Sequence, residues 1–473
     1  MRVLLLNLPP KGLISSRGKI HNRRIPPLEF LTTAAMLEEQ RVDVRLADLA
    51  VQPLDKKDAA RLAGEADRVF VTTSPYHRWQ CPSLDIEEIL ENMADLPRHN
   101  LFVLGAHGSV FPEAMLRVTG ARAVIRGEPE ETVVDLCQSL DLQHIPGVTW
   151  QEGDVVHSTP DRPPADLMSL PVPAFHHLDP RLYRYELLGN NLTIFEGSRG
   201  CPYVCQFCLK SMFGHGYRKK TGQRLIQEVE TAVRTTGVRR AYFFDLFFTG
   251  NDKAVRELCR HMINQRIDLT WSCQTRPDRV DAEMLVLMRK AGCRLIHYGI
   301  ESGSQRLLDA CGKNIRIKQI EEGVAMTHRA GIETACFFMI GLPGETQAES
   351  RETVRLARRL RPTYASFHVV IPYPGTPLHH KFVHESEPDA ERTGNGTKSA
   401  GGWEPHSSAL EHMIQCWPPP VSLGDQHPNE LQTTARKAFL HYYLHPSYAV
   451  SRLQAGNWRS LAGQLRLFMD FVR

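Results

Sequence analysis

The chain has 473 residues, which is more than one hydrophobic core usually supports, so two or more domains are expected. Its 57 basic and 53 acidic residues leave a net charge of +4 and are mixed along the chain, which argues against a nucleic-acid or anionic-membrane surface and favours small molecules or proteins as partners. A hydrophobic fraction of 42% argues against disorder of the chain as a whole.

The N-terminal segment MRVLLLNLPPKG has too short an apolar run for a signal sequence and no cleavage site after it, so it is predicted as a first buried strand. No stretch approaches the roughly 18–20 apolar residues that span a bilayer. We therefore expect a cytoplasmic protein without a membrane span, in which the 11 cysteines stay reduced. Clustered cysteines then indicate metal or redox chemistry.

Residues 1–150 alternate short apolar strands with helical stretches. The strands are predicted at RVLLLNL, VDVRLADL, DRVFVTTS, LFVLGA and ARAVIRG. This alternation predicts an α/β domain with a doubly wound, Rossmann-like parallel sheet. Ligands of such sheets bind at the carboxyl ends of the strands. The segments there are NLPPKG, TTSPYHRWQ, GAHGS and RGEPEE.

Residues 151–190 are rich in proline and are predicted as an interdomain linker. The rhythm returns over residues 191–380, with strands predicted at NLTIFEG, RRAYFFDLF, LTWSCQT, RLIHYGI, ETACFFMIGL and YASFHVVI. Six βα units predict a partial (β/α)6 TIM barrel with its active site at the strand C-termini. Residues 381–430 are polar and aperiodic and are predicted as a loop or disordered, whereas residues 431–473 are predicted as C-terminal helices.

The segment EGSRGCPYVCQFCLK follows the first barrel strand and places Cys201, Cys205 and Cys208 in CxxxCxxC spacing. A zinc site would need a fourth ligand, and the sequence offers neither a second CxxC nor a suitably spaced histidine pair. A [4Fe–4S] cluster held by three thiolates leaves one iron open to an outside ligand. The motif therefore predicts a catalytic cluster.

This loop, placed after the first strand of a partial barrel, resembles the radical S-adenosylmethionine (SAM) superfamily. Further similarity lies in YFFDLFFTGN, SCQTRPD, HYGIESGSQ and FFMIGLPGET, and it covers residues 191–380. The resemblance implies SAM on the open iron, bound by Phe207, Asp245, Arg276, Glu301, Ser302 and Gly341. In that family, one electron from the cluster cleaves SAM to a 5′-deoxyadenosyl radical, which removes hydrogen from an unactivated position.

The N-terminal segments LLLNLPP, GAHGSVFPE and IRGEPEETV resemble the cobalamin-binding domain of one subgroup of this superfamily. That subgroup contains the anaerobic Mg-protoporphyrin monomethyl ester cyclase and natural-product C- and P-methyltransferases. The resemblance implies methylcobalamin as a further cofactor, bound by Ser74, Tyr76, His77, Gly105, His107, Gly127 and Glu128. The DxHxxG motif that supplies histidine to cobalt in other cobalamin proteins is absent, so His77, Arg78 or Trp79 would lie near the cobalt instead.

The implied function is a cobalamin-dependent radical SAM methyltransferase that acts on an unactivated carbon or phosphorus centre of a secondary-metabolite (antibiotic) intermediate. Two alternatives stay open: a radical oxidative cyclase or rearrangement enzyme without methyl transfer, and a non-enzymatic iron–sulfur or cobalamin sensor.

The expected partners are a small-molecule substrate and an electron donor of the flavodoxin or ferredoxin type. A candidate docking face for the donor is formed by Arg351, Arg355, Arg358 and Arg359, which share one side of a predicted helix. Outside the CxxxCxxC loop, five cysteines are predicted to pack in the barrel core, namely Cys259, Cys273, Cys293, Cys311 and Cys336.

Overall fold

The computed structural model describes residues 1–8, 23–52, 54–79, 82, 86–214, 216–386, 428–446 and 448. Most of the NLPPKG segment, most of residues 381–430 and the end of the chain after residue 448 lie outside these ranges. Among the described residues, no helix is long and apolar enough to cross a membrane.

The N-terminal half is a seven-stranded sheet with helices on both faces. Its strands are β1 (Arg2–Asn7), β2 (Asp43–Asp48), β3 (Arg68–Thr72), β4 (Leu101–Leu104), β5 (Ala123–Ile125), β6 (Val148–Glu152) and β7 (Val155–Ser158), in the order β2-β1-β3-β4-β5-β6-β7. The helices are α1 (Leu28–Glu39), α2 (Lys56–Glu65), α3 (Ile86–Met93), α4 (Ala106–Val110), α5 (Pro112–Thr119) and α6 (Glu130–Gln138). The first five strands are parallel, and β6 and β7 are antiparallel additions.

Alternation along β1 explains the two helical layers. Leu4 and Leu6 pack into one apolar core, and Val3 and Leu5 pack into a separate core on the other face. Side chains of a strand point alternately to opposite faces, so a run of buried apolar residues requires cover on both. The predicted doubly wound sheet is present.

The second half is an open barrel of six parallel strands. After a short hairpin of β8 (Arg184–Tyr185) and β9 (Gly189–Asn190), the strands are β10 (Leu192–Phe195), β13 (Arg240–Phe243), β14 (Thr270–Thr275), β15 (Cys293–Glu301), β16 (Glu333–Ile340) and β17 (Tyr364–Val369). A small ribbon, β11 (Ser198–Gly200) with β12 (Tyr217–Lys219), follows β10. The helices are α7 (Gly222–Thr236), α8 (Asp252–Asn264), α9 (Ala282–Lys290), α10 (Gln305–Ala310), α11 (Ile317–Arg329), α12 (Gln347–Leu360), α13 (Pro377–Ser386) and α14 (Pro428–Tyr443).

The last described helix, α14, covers the exposed edge of the barrel. Its Tyr443 hydroxyl accepts a hydrogen bond from the amide of Ala365 at 2.9 Å and donates to the carbonyl of the same residue at 3.1 Å. Strand β17 has a neighbour on one side only, so these bonds satisfy backbone groups that would otherwise be open to pairing.

The segment predicted as a linker contains regular structure. Strand β7 lies inside it and pairs with β6, which extends the N-terminal sheet. Further along, Phe175 is buried and packs against Phe195 of β10, with ring centroids 5.8 Å apart. The segment thus contributes to the cores of both halves. The five barrel cysteines predicted to be core residues are all buried.

Candidate active site

The three cysteines lie on a loop that the β11–β12 ribbon closes at its base. Gly200, the last residue of β11, has φ +80°, and a Cβ there would lie 2.2 Å from the carbonyl oxygen of Gly216. Only glycine fits this approach. The loop is anchored further along, because the amide of Gln206 donates to the carbonyl of Cys311 at 3.0 Å.

The donor set of this loop fits an iron–sulfur cluster. Cys201, Cys205 and Cys208 are not joined in disulfides, and each is partly exposed. Three sulfur ligands in CxxxCxxC spacing leave one position open, which suits one iron of a [4Fe–4S] cluster better than a structural zinc ion with four protein ligands.

Asp245, which follows β13, is buried and faces the start of the ribbon. Its carboxylate accepts hydrogen bonds from the amide of Gly197 at 3.0 Å and from the hydroxyl of Ser198 at 2.5 Å. Burial raises the pKa of Asp245 to about 7, and these hydrogen bonds oppose the rise. The predicted SAM residue therefore ties the end of β13 to the end of β10.

Arg276 and Glu301, at the ends of β14 and β15, meet through Lys313. The Arg276 guanidinium lies 3.8 Å from the ring centroid of Tyr203, inside the cysteine loop, and donates to the carbonyl of Lys313 at 2.7 Å. Glu301 accepts from the ammonium of Lys313 at 2.9 Å, and both side chains are about nine-tenths buried. A buried cation and anion thus lie directly beneath the loop that includes Cys205.

The remaining predicted SAM residues are Phe207, Gly341 and Ser302. Phe207 packs in an apolar cluster that includes Leu342, the neighbour of Gly341 at the end of β16. A cavity of about 330 Å³ opens beside Phe207 and Leu342. Ser302 is buried, with its hydroxyl 3.4 Å from the hydroxyl of Thr353 on α12.

The predicted cobalamin residues all follow β3, β4 or β5, at the carboxyl end of the N-terminal sheet. Two buried polar atoms there, Ser74 Oγ and His77 Nδ1, have no hydrogen-bond partner among the described residues. Burial lowers the pKa of His77 well below its ordinary value, so its imidazole is neutral. These atoms could serve a ligand seated on this edge.

Two glycines and a histidine shape the same edge. Gly105 has φ +110°, and a Cβ there would lie 2.8 Å from the amide nitrogen of Ser74. His107 is buried, with Nδ1 3.1 Å from the hydroxyl of Thr73. The amide of Gly127 donates to Ser109 Oγ at 2.9 Å. These residues bring the loops after β3, β4 and β5 close together.

The polar atoms of Tyr76 and Glu128, by contrast, already form hydrogen bonds and ion pairs within the protein. Both residues belong, with Glu130, Glu196 and Arg199, to a buried group that we call the Arg199 cluster. The Arg199 guanidinium contacts Glu128 at 2.8 Å, Glu130 at 2.6 Å and Glu196 at 2.8 Å. It also lies 4.7 Å from the ring centroid of Tyr76, whose hydroxyl donates to Glu130 at 2.6 Å.

The Arg199 cluster joins the two halves of the chain beside the cysteine loop. Arg199 lies on β11, two residues before Cys201, and its partners Glu128 and Glu130 follow β5. Aromatic packing adds to the joint, since Trp79 lies 5.2 Å from Phe213 between ring centroids. The carboxyl edge of the N-terminal sheet is thereby held against the cysteine loop.

The arginine face proposed for an electron donor is partly occupied. Helix α12 runs from the carboxyl end of β16 toward the amino end of β17, so its last turn lies at the end of the barrel away from the cysteines. There Arg359 contacts Glu321 at 2.9 Å, and Arg358 donates to the carbonyl of His441 at 2.9 Å. Because both arginines already have partners within the chain, this half of the helix is less suited to docking an electron donor.

Comparison with known proteins agrees with this geometry. Residues 195–357, which include the cysteine loop and four barrel strands after it, match the Radical SAM superfamily. This part of the chain is a radical SAM domain. This domain confirms the predicted resemblance and, with it, the prediction of an enzyme that uses a [4Fe–4S] cluster and SAM.

Relatives of this chain include two kinds of enzyme. It is 26% identical over 481 residues to an uncharacterized methyltransferase of Pyrococcus horikoshii, and 99% of both chains is covered. It is 30% identical over 311 residues to the anaerobic magnesium-protoporphyrin IX monomethyl ester cyclase of Cereibacter sphaeroides, covering 63% of this chain and 51% of the cyclase.

A solved structure confirms the predicted fold class. The radical SAM methyltransferase TsrM from Kitasatospora setae, with tryptophan and a SAM analogue bound, superposes with a TM-score of 0.66 at 21% identity, covering 85% of this chain and 79% of TsrM. Another structure of TsrM holds cobalamin and a [4Fe–4S] cluster.

Several residues of the site were not predicted from the sequence. Lys313, Tyr203 and the charged members of the Arg199 cluster other than Glu128 carried no assigned role. Arg199 stands within the quoted cysteine segment, and its proximity to the motif was the one available signal. Lys313 is 12 residues from Glu301 and had no motif to mark it.

Proposed function

We propose that this chain is a cobalamin-dependent radical SAM methyltransferase that transfers a methyl group to an unactivated carbon or phosphorus centre of a secondary-metabolite intermediate. One observation carries the proposal: the Arg199 cluster holds the carboxyl edge of the N-terminal sheet against the cysteine loop. A cofactor seated on that edge and SAM bound at the loop would face the same space.

The [4Fe–4S] cluster would be held by Cys201, Cys205 and Cys208. SAM would lie between the apolar surface around Phe207 and the charged pair of Glu301 and Lys313. When bound, the cluster and SAM supply one-electron removal of hydrogen from the substrate, and methylcobalamin supplies the methyl group.

The protein's own residues have defined tasks in this arrangement. The ammonium of Lys313 lies 2.9 Å from the carboxylate of Glu301, so it neutralises that carboxylate and holds it in place near the loop. Arg276 supports the loop from beneath by stacking on Tyr203. Arg276, Glu301 and Lys313 are buried, which limits access of solvent to the loop from this side, and exclusion of water favours radical chemistry over side reactions.

On the N-terminal side, the residues suited to cobalamin are those with unused polar atoms. Ser74 Oγ and His77 Nδ1 point into buried space without a partner among the described residues. His77 is neutral, so its imidazole could accept a hydrogen bond or approach the cobalt. Tyr76 and Glu128 would instead position this edge through Arg199, rather than contact the cofactor with their polar atoms.

The decisive experiment is anaerobic reconstitution with methyl-labelled SAM, cobalamin and a chemical reductant. Substrates to be tested include tryptophan, the ligand of TsrM, and a phosphonate, so that carbon and phosphorus acceptors are both covered. A methyltransferase forms labelled product, S-adenosylhomocysteine and 5′-deoxyadenosine, and the last two depend on substrate.

Cysteine variants provide the matched controls. Cys201→Ala, Cys205→Ala and Cys208→Ala should each lose the visible absorption of the cluster and all 5′-deoxyadenosine formation. Cys273→Ala, which changes a buried core thiol, should retain both. A variant of the loop that keeps an active cluster would overturn the assignment.

A second candidate is a radical oxidative cyclase, favoured by the similarity to the Cereibacter enzyme. It would use the same cofactors and form 5′-deoxyadenosine in the presence of substrate. The two reactions differ in one product, because a cyclase produces no S-adenosylhomocysteine. For either reaction, electrons would come from a protein of the flavodoxin or ferredoxin type.

A further inference from the structure

A second group of metal-ligating side chains lies outside the site described above. Glu38 is the penultimate residue of α1, and His176 and His177 end a short 3₁₀ turn at Phe175–His177. The Nε2 atoms of the two histidines lie 2.9 Å and 2.7 Å from the same carboxylate oxygen, Glu38 Oε1. The three ligand atoms are within 4.8 Å of one another.

This arrangement has the chemistry of a zinc-type site. Two imidazoles and one carboxylate form a known ligand set for zinc, with bonds of about 2.0–2.2 Å that leave a fourth position for water. His176 is 54% exposed in its side chain and His177 is 20% exposed, so solvent can reach that position. Without an ion, each Nε2 needs a hydrogen to bond the carboxylate, and an ion would replace both hydrogens.

The backbone around the group is fixed before any ion binds. The amide of Ala174 donates to the carbonyl of Leu31 on α1 at 2.9 Å, which joins the turn to the helix. The ring of Phe175 is buried against Phe195 of β10. The turn that carries both histidines is therefore held on one side by the N-terminal domain and on the other by the barrel, which preorganises the ligands.

We propose that Glu38, His176 and His177 form a divalent-cation site of the zinc type, and that the bound ion fastens α1 to the turn leading into the barrel. The ion would act at the joint between the two halves, apart from the cysteine loop and independently of the reaction catalysed there. Its effect is to restrict motion of the N-terminal domain relative to the barrel.

The test uses full-length protein with its [4Fe–4S] cluster already reconstituted, so that the loop cysteines are occupied. Zinc is added alone, and its affinity is measured by competition with a fluorescent zinc indicator. Zinc-edge X-ray absorption then identifies the ligands, since nitrogen and oxygen lie at about 2.0–2.1 Å and sulfur at about 2.3 Å. We expect one zinc ion with nitrogen and oxygen neighbours, and a higher melting temperature when it is bound.

The variants His177→Ala and Glu38→Gln each remove one ligand and should weaken zinc binding by more than about tenfold, the smallest loss usual for changes in the surroundings of a metal ligand. The matched control is His144→Ala, because His144 also contacts a carboxylate, that of Asp141 at 2.8 Å. Among the described residues, this pair belongs to no group of three ligand atoms. Cluster content and circular dichroism verify that each variant is folded. The proposal is overturned if the wild type binds no zinc at micromolar concentration, if sulfur dominates the zinc shell, or if the ligand variants bind as tightly as the control.

Discussion

Replacing Arg199 by methionine tests whether the Arg199 cluster holds the two halves together. The substitution keeps much of the side-chain volume and removes the charge shared by Glu128, Glu130 and Glu196, whose side chains are 5%, 0% and 1% exposed. Glu128 keeps Arg218, and Glu196 keeps Lys220 at 3.7 Å. Glu130 keeps only the hydroxyl of Tyr76 among the described side chains.

One buried carboxylate is thus left without a cation, and such a loss costs about 3–5 kcal/mol. At about 2–4 °C per kcal/mol for a domain of this size, the melting temperature should fall by about 6–20 °C. Burial raises the pKa of Glu130, so protonation relieves the charge and the deficit should shrink at lower pH. The assay is thermal unfolding followed by circular dichroism, with limited proteolysis between the halves as a second readout.

The control is Arg256→Met on the barrel surface. Arg256 also contacts three carboxylates, Asp252, Asp281 and Glu283, but their side chains are 57%, 54% and 78% exposed. Solvent screens such pairs, so the cost should be no more than about 1 kcal/mol. The reasoning is refuted if the Arg199 variant melts within about 2–4 °C of the wild type, the shift that corresponds to 1 kcal/mol, or if both variants lose the same stability.

Two further predictions concern single buried positions. Burial raises the pKa of Glu29 from 4.5 to about 8, so the folded state favours the protonated acid, and this group's contribution to stability is complete below pH 4.5 and is lost as the pH rises to about 8. Glu29→Gln should flatten that decline, by at most about 5 kcal/mol at pH 8, in urea unfolding at several pH values; an unchanged pH profile would contradict it. Gly323→Ala should destabilise by about 1–3 kcal/mol because a Cβ there would lie 2.0 Å from the carbonyl oxygen of Pro277, whereas Gly64→Ala, with nothing within 4 Å, should gain about 0.5–1 kcal/mol. Equal melting temperatures for these two alanine variants would show that the close approach in α11 is not rigid.

The parts of the fold predicted from sequence are those with a local pattern. All six barrel strands and the first five strands of the N-terminal sheet coincide with predicted strands. Most of them are largely buried and flanked by helices, whereas β2, at the sheet edge, alternates exposed and half-buried residues before two buried ones. Strand β7 was missed, since it is an edge strand whose residues are exposed or half-buried and show no apolar run. It forms a strand because it pairs with β6, and a sequence pattern within β7 alone does not show that pairing.

The candidate site divides in the same way. The three cysteines were predicted as cluster ligands from their spacing, and the loop positions at the strand ends followed from the βα rhythm. Contacts between residues far apart in the chain could not be predicted from local patterns. Arg199, for example, is 71 residues from Glu128 and 69 from Glu130. The roles assigned to Tyr76 and Glu128 from resemblance stay predictions, and their hydrogen bonds favour a structural contribution.

The β11–β12 ribbon pairs Arg199 directly with Arg218, and Glu128 binds both arginines. A shift of one residue in this short ribbon would turn the paired side chains to the opposite face and would also displace Cys201, which follows it at once. The N-terminal domain is synthesised first and can fold first. If it does, Glu128 is in place when the ribbon emerges and favours the register in which both arginines reach it, which in turn fixes the position of Cys201.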